Sequence, residues 1–267
     1  MFSKLRDSPR GTSTIFNGGN DTAIEGTEDS VIIKNLMIIY SEKGIYVNGI
    51  EDTVVTSIKF ATNEYGIYSE DSQNLIVNNS IFDVGDYGIY LTGSSSVQIK
   101  DNEFRNGTQT GDYCLYQSES SDNGGANIVN NKFNDCNVAW RSGSSSNTFS
   151  DNTLKDNEYG VLLSGTEANN NLLHDNSFDD SGVAVYIYNT AYDNNLYDNF
   201  IDDSDDYDIK LSDSYNTVSY NNTFSSISVA SDANMWIKAY IDVDVTDNSS
   251  NASVSYTHLT LPTKRIV

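Results

Sequence analysis

The chain has 267 residues, of which 38 are acidic and 15 basic, so its formal net charge is −23 at pH 7. Such a charge repels nucleic acid and anionic membranes and attracts divalent cations, which excludes nucleic acid as a partner. Hydrophobic residues make up only 37% of the chain, yet 18 residues are tyrosine. A disordered chain would lack these aromatic residues, so the composition indicates a folded protein of unusual architecture.

The N-terminal segment, residues 1–13, contains basic residues but no apolar core. We therefore expect an irregular leader here rather than a signal peptide. No apolar run farther along approaches the roughly 20 residues needed to cross a bilayer, so no transmembrane segment is predicted.

A repeat of about 22 to 24 residues, with three short strands and three turns per copy, extends over residues 14–228 and is typical of a solenoid. One copy reads EYGIYSEDSQNLIVNNSIF (64–82), between EKGIYVNGIEDTVVTSIKF (42–60) and DYGIYLTGSSSVQIKDNEF (86–104). One column of the alignment is apolar: Ile45, Ile67, Ile89, Leu115, Ala139, Val161, Val185 and Ile209. A second column holds turn residues: Asn35, Ser57, Asn79, Asn102, Asn131, Asn152, Asn176, Asn199 and Asn222.

No helical period accompanies the repeat, and its short β-branched strands and Asn- and Asp-rich turns favour a parallel β-helix. The pattern GIYL-x-x-S…N-x-I…N-N-x-F, seen in YGIYLTGSSSVQIKDNEF, resembles the right-handed parallel β-helix repeats of the pectate-lyase-like superfamily. The predicted fold is all-β, a right-handed parallel β-helix of about eight to nine coils with a short C-terminal β segment. The resemblance does not specify function, because lyases, hydrolases, tailspikes and adhesins share this coil.

The C-terminal end differs from the repeat. Residues 229–253 alternate apolar and polar side chains, which predicts either a strand that caps the solenoid or the start of a truncated β-sandwich module. Residues 254–267, VSYTHLTLPTKRIV, resemble a translated sequencing adaptor, and we expect them to be a non-native tail.

One outward column of the predicted coil is aromatic. Side chains alternate along a strand, so the residue after each core aliphatic should point outward. These residues are Tyr46, Tyr68, Tyr90, Tyr116, Trp140 and Tyr186. They form a candidate glycan-binding platform, on which sugar rings would lie against flat aromatic rings. The alternative is a purely structural ladder that stabilises its sheet.

Acidic residues form a further column and a cluster, which we consider as calcium ligands because Ca²⁺ prefers carboxylate oxygens. The candidate metal ligands are Glu64, Asp86, Asp112, Asp179, Asp180, Asp202 and Asp203. A solvated acidic corner that keeps the protein soluble is the alternative, since no dedicated calcium-binding motif is present. Ca²⁺ is the one cofactor that the sequence suggests.

Two cysteines, Cys114 and Cys136, lie one coil apart. Adjacent coils would allow a disulfide, which suits an oxidising compartment, but two buried free thiols fit the spacing equally well.

The resemblance implies that lyases of this superfamily pair acidic calcium ligands with an Arg or Lys that abstracts the proton beside a uronate carboxyl. Arg141 is the best candidate for that base, in the longer and irregular coils 107–141. The NTD and GHG signatures of polygalacturonase-like enzymes are absent, and the enzyme assignment stays open.

The function hypothesis is a fragment of an exported β-helix protein that binds a polysaccharide or surface glycan, or presents itself at the surface, without catalysis. The expected location is extracellular or the cell surface. The alternatives are a structural stalk or adhesin without a small ligand, and a calcium-assisted polysaccharide lyase or glycoside hydrolase.

Overall fold

The protein is described by a computed structural model that covers the backbone of residues 14–246 and 253–266 and the side chains of residues 14–238. The expected leader, 1–13, lies outside the described residues. The described chain is all-β, and its strands stack in parallel from coil to coil into a β-solenoid of about ten turns. The predicted parallel β-helix is therefore confirmed, with slightly more turns than the repeat indicated. Among the described residues, no helix is long and apolar enough to cross a bilayer.

Each coil contributes strands to three faces. The first face is an 11-stranded sheet. Its strands are Ile32–Lys34, Val54–Thr56, Ile76–Asn78, Gln98–Lys100, Asn127–Val129, Thr148–Ser150, Leu172–His174, Asn195–Tyr197, Thr217–Tyr220, Met235–Thr246 and Ser253–Ile266.

The second and third faces join into one 15-stranded sheet, because four long strands bend across both: Lys59–Glu70, Ile81–Thr92, Thr153–Ser164 and Ser177–Tyr188. The other strands of the second face are Thr14–Asn17, Leu36–Ile39, Glu103–Arg105, Lys132–Asn134 and Phe200–Asp202. The other strands of the third face are Ile24–Gly26, Lys43–Asn48, Tyr113–Gln117, Val138–Ser142, Tyr207–Leu211 and Ile227–Val229.

The Gly-Ile-Tyr motif marks the corner between the second and third faces. Gly66 and Ile67 are both buried, so the alternation of inward and outward side chains is interrupted at this corner. A Cβ atom on Gly66 would lie 2.5 Å from the carbonyl oxygen of Gly88 and 2.9 Å from the ring of Phe82. A side chain at Gly66 would therefore force its neighbours to shift, which favours a small residue where the backbone turns past the core phenylalanine.

The core consists of columns that run along the solenoid. Ile67 and Ile89 are fully buried register partners on the third face. On the second face the rings of Phe60, Phe82 and Phe104 stack at centroid distances of 4.6 Å. Each coil thus buries its apolar side chains against equivalent side chains above and below, as stacked repeats must.

A ladder of buried asparagine amides connects the coils at the turn between the first and second faces. Asn152 donates from Nδ2 to the backbone carbonyl of Ile128 and to the side-chain oxygen of Asn176. Its own Oδ1 accepts from the backbone N–H of Asn131. The same pattern links Asn102, Asn131, Asn152, Asn176, Asn199 and Asn222.

The asparagine alignment predicted from the sequence is wrong in its first three coils. Asn79 has a left-handed φ of 50° and lies one position before the ladder, whose member in that coil is Ser80. Asp101 takes the same left-handed position before Asn102. Asn and Asp both tolerate this conformation, so the left-handed turn position and the ladder position after it are both rich in Asn. The sequence alignment therefore treated these two columns as one.

At the C-terminal end, residues Met235–Lys238 pair in parallel with Thr217–Tyr220 and add a rung to the first face. Ser253–Ile266 then pairs antiparallel with Met235–Thr246. The capping and β-sandwich interpretations of 229–253, and the non-native origin of 254–267, stay predictions.

A disulfide joins Cys114 to Cys136, with their Cα atoms 6.1 Å apart. It connects the strand Tyr113–Gln117 to the corner that precedes the next third-face strand, and both residues are buried. Of the two alternatives that the spacing left open, the structure contains the disulfide.

We predict that Asn152→Ala destabilises the protein by about 1–3 kcal/mol, because it leaves buried backbone and amide groups of the adjacent coils without partners. The free energy of unfolding in urea measures the effect. The matched control is Asn127→Ala on the exposed side of the first face. Equal stability of the two variants would contradict a structural role for the ladder.

We also predict that Cys114→Ala/Cys136→Ala lowers the free energy of unfolding by about 3 kcal/mol, since the disulfide closes a loop of intermediate length in the unfolded chain. A reducing agent should lower the melting temperature of the wild type to that of the double variant. The melting temperature of the double variant should not change. A wild-type melting temperature indifferent to reduction would refute this.

Candidate functional site

Seven tyrosines in two columns cover the outer side of the third face in consecutive coils, and we call them the tyrosine lattice. The first column holds Tyr46, Tyr68, Tyr90 and Tyr116, and the second holds Tyr65, Tyr87 and Tyr113. All seven side chains are half-buried.

The second column was not predicted, although both tyrosines of the YGIY motif were visible. Strict alternation from buried Ile67 would point Gly66 outward and Tyr65 inward. Because the corner makes both Gly66 and Ile67 inward, Tyr65 and Tyr68 emerge on the same side. The signal in the sequence was the glycine directly before the core aliphatic.

The rings of the lattice pack mainly on one another. Tyr90 is stacked between Tyr68 and Tyr116, at centroid distances of 4.9 and 5.0 Å. It meets Tyr65 and Tyr87 edge-on, with interplanar angles of 88° and 89°. Both faces of an inner ring are thus occupied by neighbours, as in a herringbone arrangement. The lattice therefore offers ring edges and hydroxyl groups to a ligand, rather than the flat ring faces that the sequence suggested.

This packing also changes the acidity of the hydroxyl groups. Burial is the largest cause that raises the pKa of Tyr65 and of Tyr90 to about 12. Neighbouring groups, Glu64 for the first and Tyr116 for the second, raise these pKa values further. The hydroxyls of Tyr65 and Tyr90 are therefore neutral at pH 7 and can both donate and accept hydrogen bonds.

A cation lies at each end of the lattice. The Lys43 ammonium is 4.8 Å from the ring centroids of Tyr46 and Tyr68. The Arg141 guanidinium is 4.8 Å from the ring centroid of Tyr116 and donates a hydrogen bond to the hydroxyl of the same residue.

The predicted exposure of Trp140 is wrong. Its side chain is 0% exposed, its ring stacks on Phe149 at 4.7 Å, and its indole N–H donates to the Gln117 side chain at 3.0 Å. The structure pairs Trp140 with Leu115 in the core column, which makes Arg141 the outward residue. The sequence signal was the small residue Ala139, which occupies the glycine position of the motif.

Arg141 thus belongs to the tyrosine column. It is half-buried, it donates a hydrogen bond to the Tyr116 hydroxyl, and Tyr188 lies close to it. Burial alone would lower the pKa of Arg141, but the oxygens of Tyr116, Tyr188 and Tyr113 outweigh burial and raise it. A guanidinium that stays protonated suits the binding of an anion better than the proton abstraction considered from the sequence.

Tyr186 lies beyond Arg141, separated from the lattice by buried Leu162. Its ring stacks on Tyr188 at 4.5 Å, and the Lys210 ammonium is 4.9 Å from its centroid. Of the six predicted aromatic residues, the structure therefore brings together four, places Tyr186 in a separate group and buries Trp140.

Two longer loops flank Tyr113 and Tyr116. The loop before them is closed by a bond from the Gln109 backbone N–H to the Asp112 carboxylate at 2.8 Å. The loop after them carries Glu119, whose carboxylate accepts from the Thr166 hydroxyl at 3.4 Å. The lattice is thus bordered by irregular segments near Arg141, within the coils 107–141 where insertions were expected.

The acidic column runs directly beside the lattice. Glu64, Asp86 and Asp112 immediately precede Tyr65, Tyr87 and Tyr113 in the chain. Burial raises the pKa of Glu64, and the like charges of Asp86 and Glu42 raise it further. Burial also raises the pKa of Asp112, against the backbone bond from Gln109, which lowers it.

The acidic cluster on the second face holds Asp179 and its register partner Asp202. Lys155 neutralises Asp179 at 2.7 Å, while Asp180 and Asp203 occupy left-handed turn positions. Across residues 14–238, no three His, Cys, Asp or Glu side chains come together so as to hold a metal ion. The seven predicted calcium ligands therefore share no site, because each coil adds one carboxylate per column and the column is spread along the axis.

The fold is a parallel β-helix, and the tyrosine lattice gives it one ordered aromatic face. The family described as "NosD: Periplasmic copper-binding protein" matches residues 22–257, and the chain belongs to this family. No curated protein matches the sequence.

Solved structures share the fold at low sequence identity. The catalytic domain of a GH87 α-1,3-glucanase in complex with nigerose is similar with a TM-score of 0.63 and 14% identity, over 83% of this chain and 61% of that domain. An alginate lyase from Paenibacillus sp. str. FPU-7 is similar with a TM-score of 0.55 and 12% identity, over 80% and 92% of the two chains. The Yersinia enterocolitica family 28 exopolygalacturonase gives 0.53 and 14%, over 71% of this chain and 44% of that enzyme. The chain thus spans less than two thirds of the glucanase domain and of the exopolygalacturonase.

The residues described here do not fit the copper named in the family description. Copper is held in proteins by imidazole, thiolate and thioether ligands. His174 is the one imidazole of residues 14–238, and Cys114 and Cys136 are bonded to each other. Met37 and Met235 lie on different faces of the solenoid. We therefore derive no copper chemistry from this part of the chain.

We predict that the protein loses stability in alkali between about pH 10 and 12. Tyr65 and Tyr90 have folded-state pKa values of about 12 against an ordinary 10.0, so the folded state binds these protons more tightly. Their contribution is fully present below pH 10 and is lost as the pH rises through about 12. Tyrosinate absorbance and the urea midpoint, both followed against pH, measure this. Complete tyrosine titration near pH 10 with the fold intact would contradict it.

Proposed function

We propose that this protein binds polysaccharide along its third face, without catalysis, through the hydroxyl groups of the tyrosine lattice and through Arg141. The observation that carries the proposal is the arrangement of seven half-buried tyrosines in two ordered columns that end at a cation. A regular array of neutral hydroxyls is suited to hydrogen bonding with the hydroxyls of a sugar chain.

The spacing of the lattice suits a ligand that runs along the solenoid axis. Successive rings of the first column lie 4.9 and 5.0 Å apart at Tyr68, Tyr90 and Tyr116, which follows from the spacing of paired strands. This interval is close to the length of one sugar unit in an extended polysaccharide. Successive sugars could then meet equivalent hydroxyls on successive coils.

The comparisons support the choice of ligand class and of location. Structural neighbours include a glucanase bound to nigerose, an alginate lyase and an exopolygalacturonase, all sharing the fold. The family description names a periplasmic protein, and a buried disulfide persists in oxidising compartments. We therefore propose that the protein acts outside the cytoplasm, at the cell surface or in the periplasm.

A stalk without a ligand is the competing interpretation, because rings that pack on one another also stabilise a sheet. The two interpretations differ at the hydroxyl groups. A structural ladder needs the rings alone, whereas a binding surface needs the phenolic oxygens.

We predict that Tyr68→Phe/Tyr90→Phe weakens binding to a responding polysaccharide by about tenfold while the melting temperature stays close to that of the wild type. The substitutions keep both rings and remove two hydroxyl groups, each with a bond worth about 0.5–1.5 kcal/mol. A glycan array, followed by calorimetry on the glycan that binds, provides the measurement.

Tyr197→Phe is the matched control, because Tyr197 stacks between His174 and Tyr220 on the first face. It should bind as the wild type does. Unchanged binding in the Tyr68/Tyr90 double variant, or no wild-type binding across the array, would overturn the proposed function in favour of the stalk.

A further inference from the structure

We infer that Arg141 makes the third face selective for a mostly neutral glycan that carries a single anionic substituent, a carboxylate or a sulfate, at the Arg141 position. This inference rests on the proposed function and specifies the ligand of the same surface.

The first observation is that Arg141 has no acidic side chain as an ion-pair partner among residues 14–238. Its guanidinium is half-buried among Tyr113, Tyr116 and Tyr188, and no carboxylate of residues 14–238 forms an ion pair with it. By contrast, Arg105 pairs with Glu103 at 3.2 Å. A charged group that is shielded from water normally has a partner of opposite charge. A chain of net charge −23 has many acidic side chains that could serve as this partner.

The geometry of the guanidinium suits an anion from outside. Arg141 has five N–H donors in a planar fork, of which the bond to the Tyr116 hydroxyl uses one. The remaining donors match the two oxygens of a carboxylate or of a sulfate. Tyr116, which Arg141 contacts, also ends the lattice, so a sugar chain lying on the hydroxyls would reach this group.

The second observation limits the charge to one position. The acidic column continues along the solenoid axis in both directions from the coil of Arg141. In the preceding coils it holds Glu42, Glu64, Asp86 and Asp112, and in the following coils it holds Glu158 and Asp206. A glycan with a charge on every sugar would place its other anionic groups beside these carboxylates, which repel them. A single anionic substituent beside Arg141 avoids this repulsion.

The experiment measures binding by calorimetry to two series of oligosaccharides, one built on xylohexaose and one on glucohexaose. Each series contains the neutral hexamer, the hexamer with one glucuronate and the hexamer with one sulfate, and hexagalacturonate is the fully charged probe. We expect the wild type to bind a singly substituted member roughly 10- to 100-fold more tightly than its neutral parent. Hexagalacturonate should bind more weakly than that member.

Arg141→Gln should abolish the preference for the substituted member over its neutral parent, and Arg141→Lys should keep part of that preference. Lys132→Gln, which removes an exposed cation from the second face, should leave the preference unchanged. The glucuronate and sulfate arms distinguish the two sources of the anion. The wild-type ratios test the inference even where a variant does not fold.

Equal wild-type affinity for neutral and substituted members, tighter binding of hexagalacturonate, or an unchanged preference in folded Arg141→Gln would overturn the inference and leave the proposed function standing. Absence of wild-type binding to every probe, and to the glycan array, would overturn the proposed function itself.

Discussion

The hydrogen-bonded register between consecutive coils is the constraint on which the rest of this structure depends. Parallel pairing places Ile67 on Ile89 and Tyr68 on Tyr90, and the buried amides fix the same alignment at the turns. Because each coil repeats the position of the one before, a residue type repeated in the sequence becomes a column in space. Apolar, amide, aromatic and acidic columns all arise in this way, and the outer columns create the candidate binding face.

The register survives the irregular coils because their additional residues are placed at the corners. Phe104 pairs with Phe133, and Tyr87 pairs with Tyr113, although a loop precedes Tyr113. The disulfide of Cys114 and Cys136 connects this coil to the next. Length variation is thus accommodated outside the ladders, where loops can flank the lattice without disturbing the pairing beneath it.

The sequence was sufficient to predict the all-β solenoid, the three strands per coil and four of the lattice tyrosines, because these follow from periodicity. It was insufficient where a corner breaks the alternation of side chains, as at Gly66 and Ile67, which concealed the second tyrosine column. It also misplaced Trp140 by one position, since the coil before it differs in length. The ring orientations could not be predicted, because they are decided by packing between columns rather than within one strand.

Uniform columns explain stability better than they explain specificity, because equivalent residues on every coil present the same chemistry everywhere. Specificity requires a position at which a column changes. Such changes coincide around Arg141. It replaces a tyrosine in the outward column, and Trp140 replaces the core aliphatic next to it. Both loops lie in the coil before Arg141, and the disulfide joins that coil to the coil of Arg141. The chain has a net charge of −23, and the repeat itself does not explain why a half-buried cation stands at this position. A ligand that needs one anionic contact within a neutral surface gives that exception a physical reason.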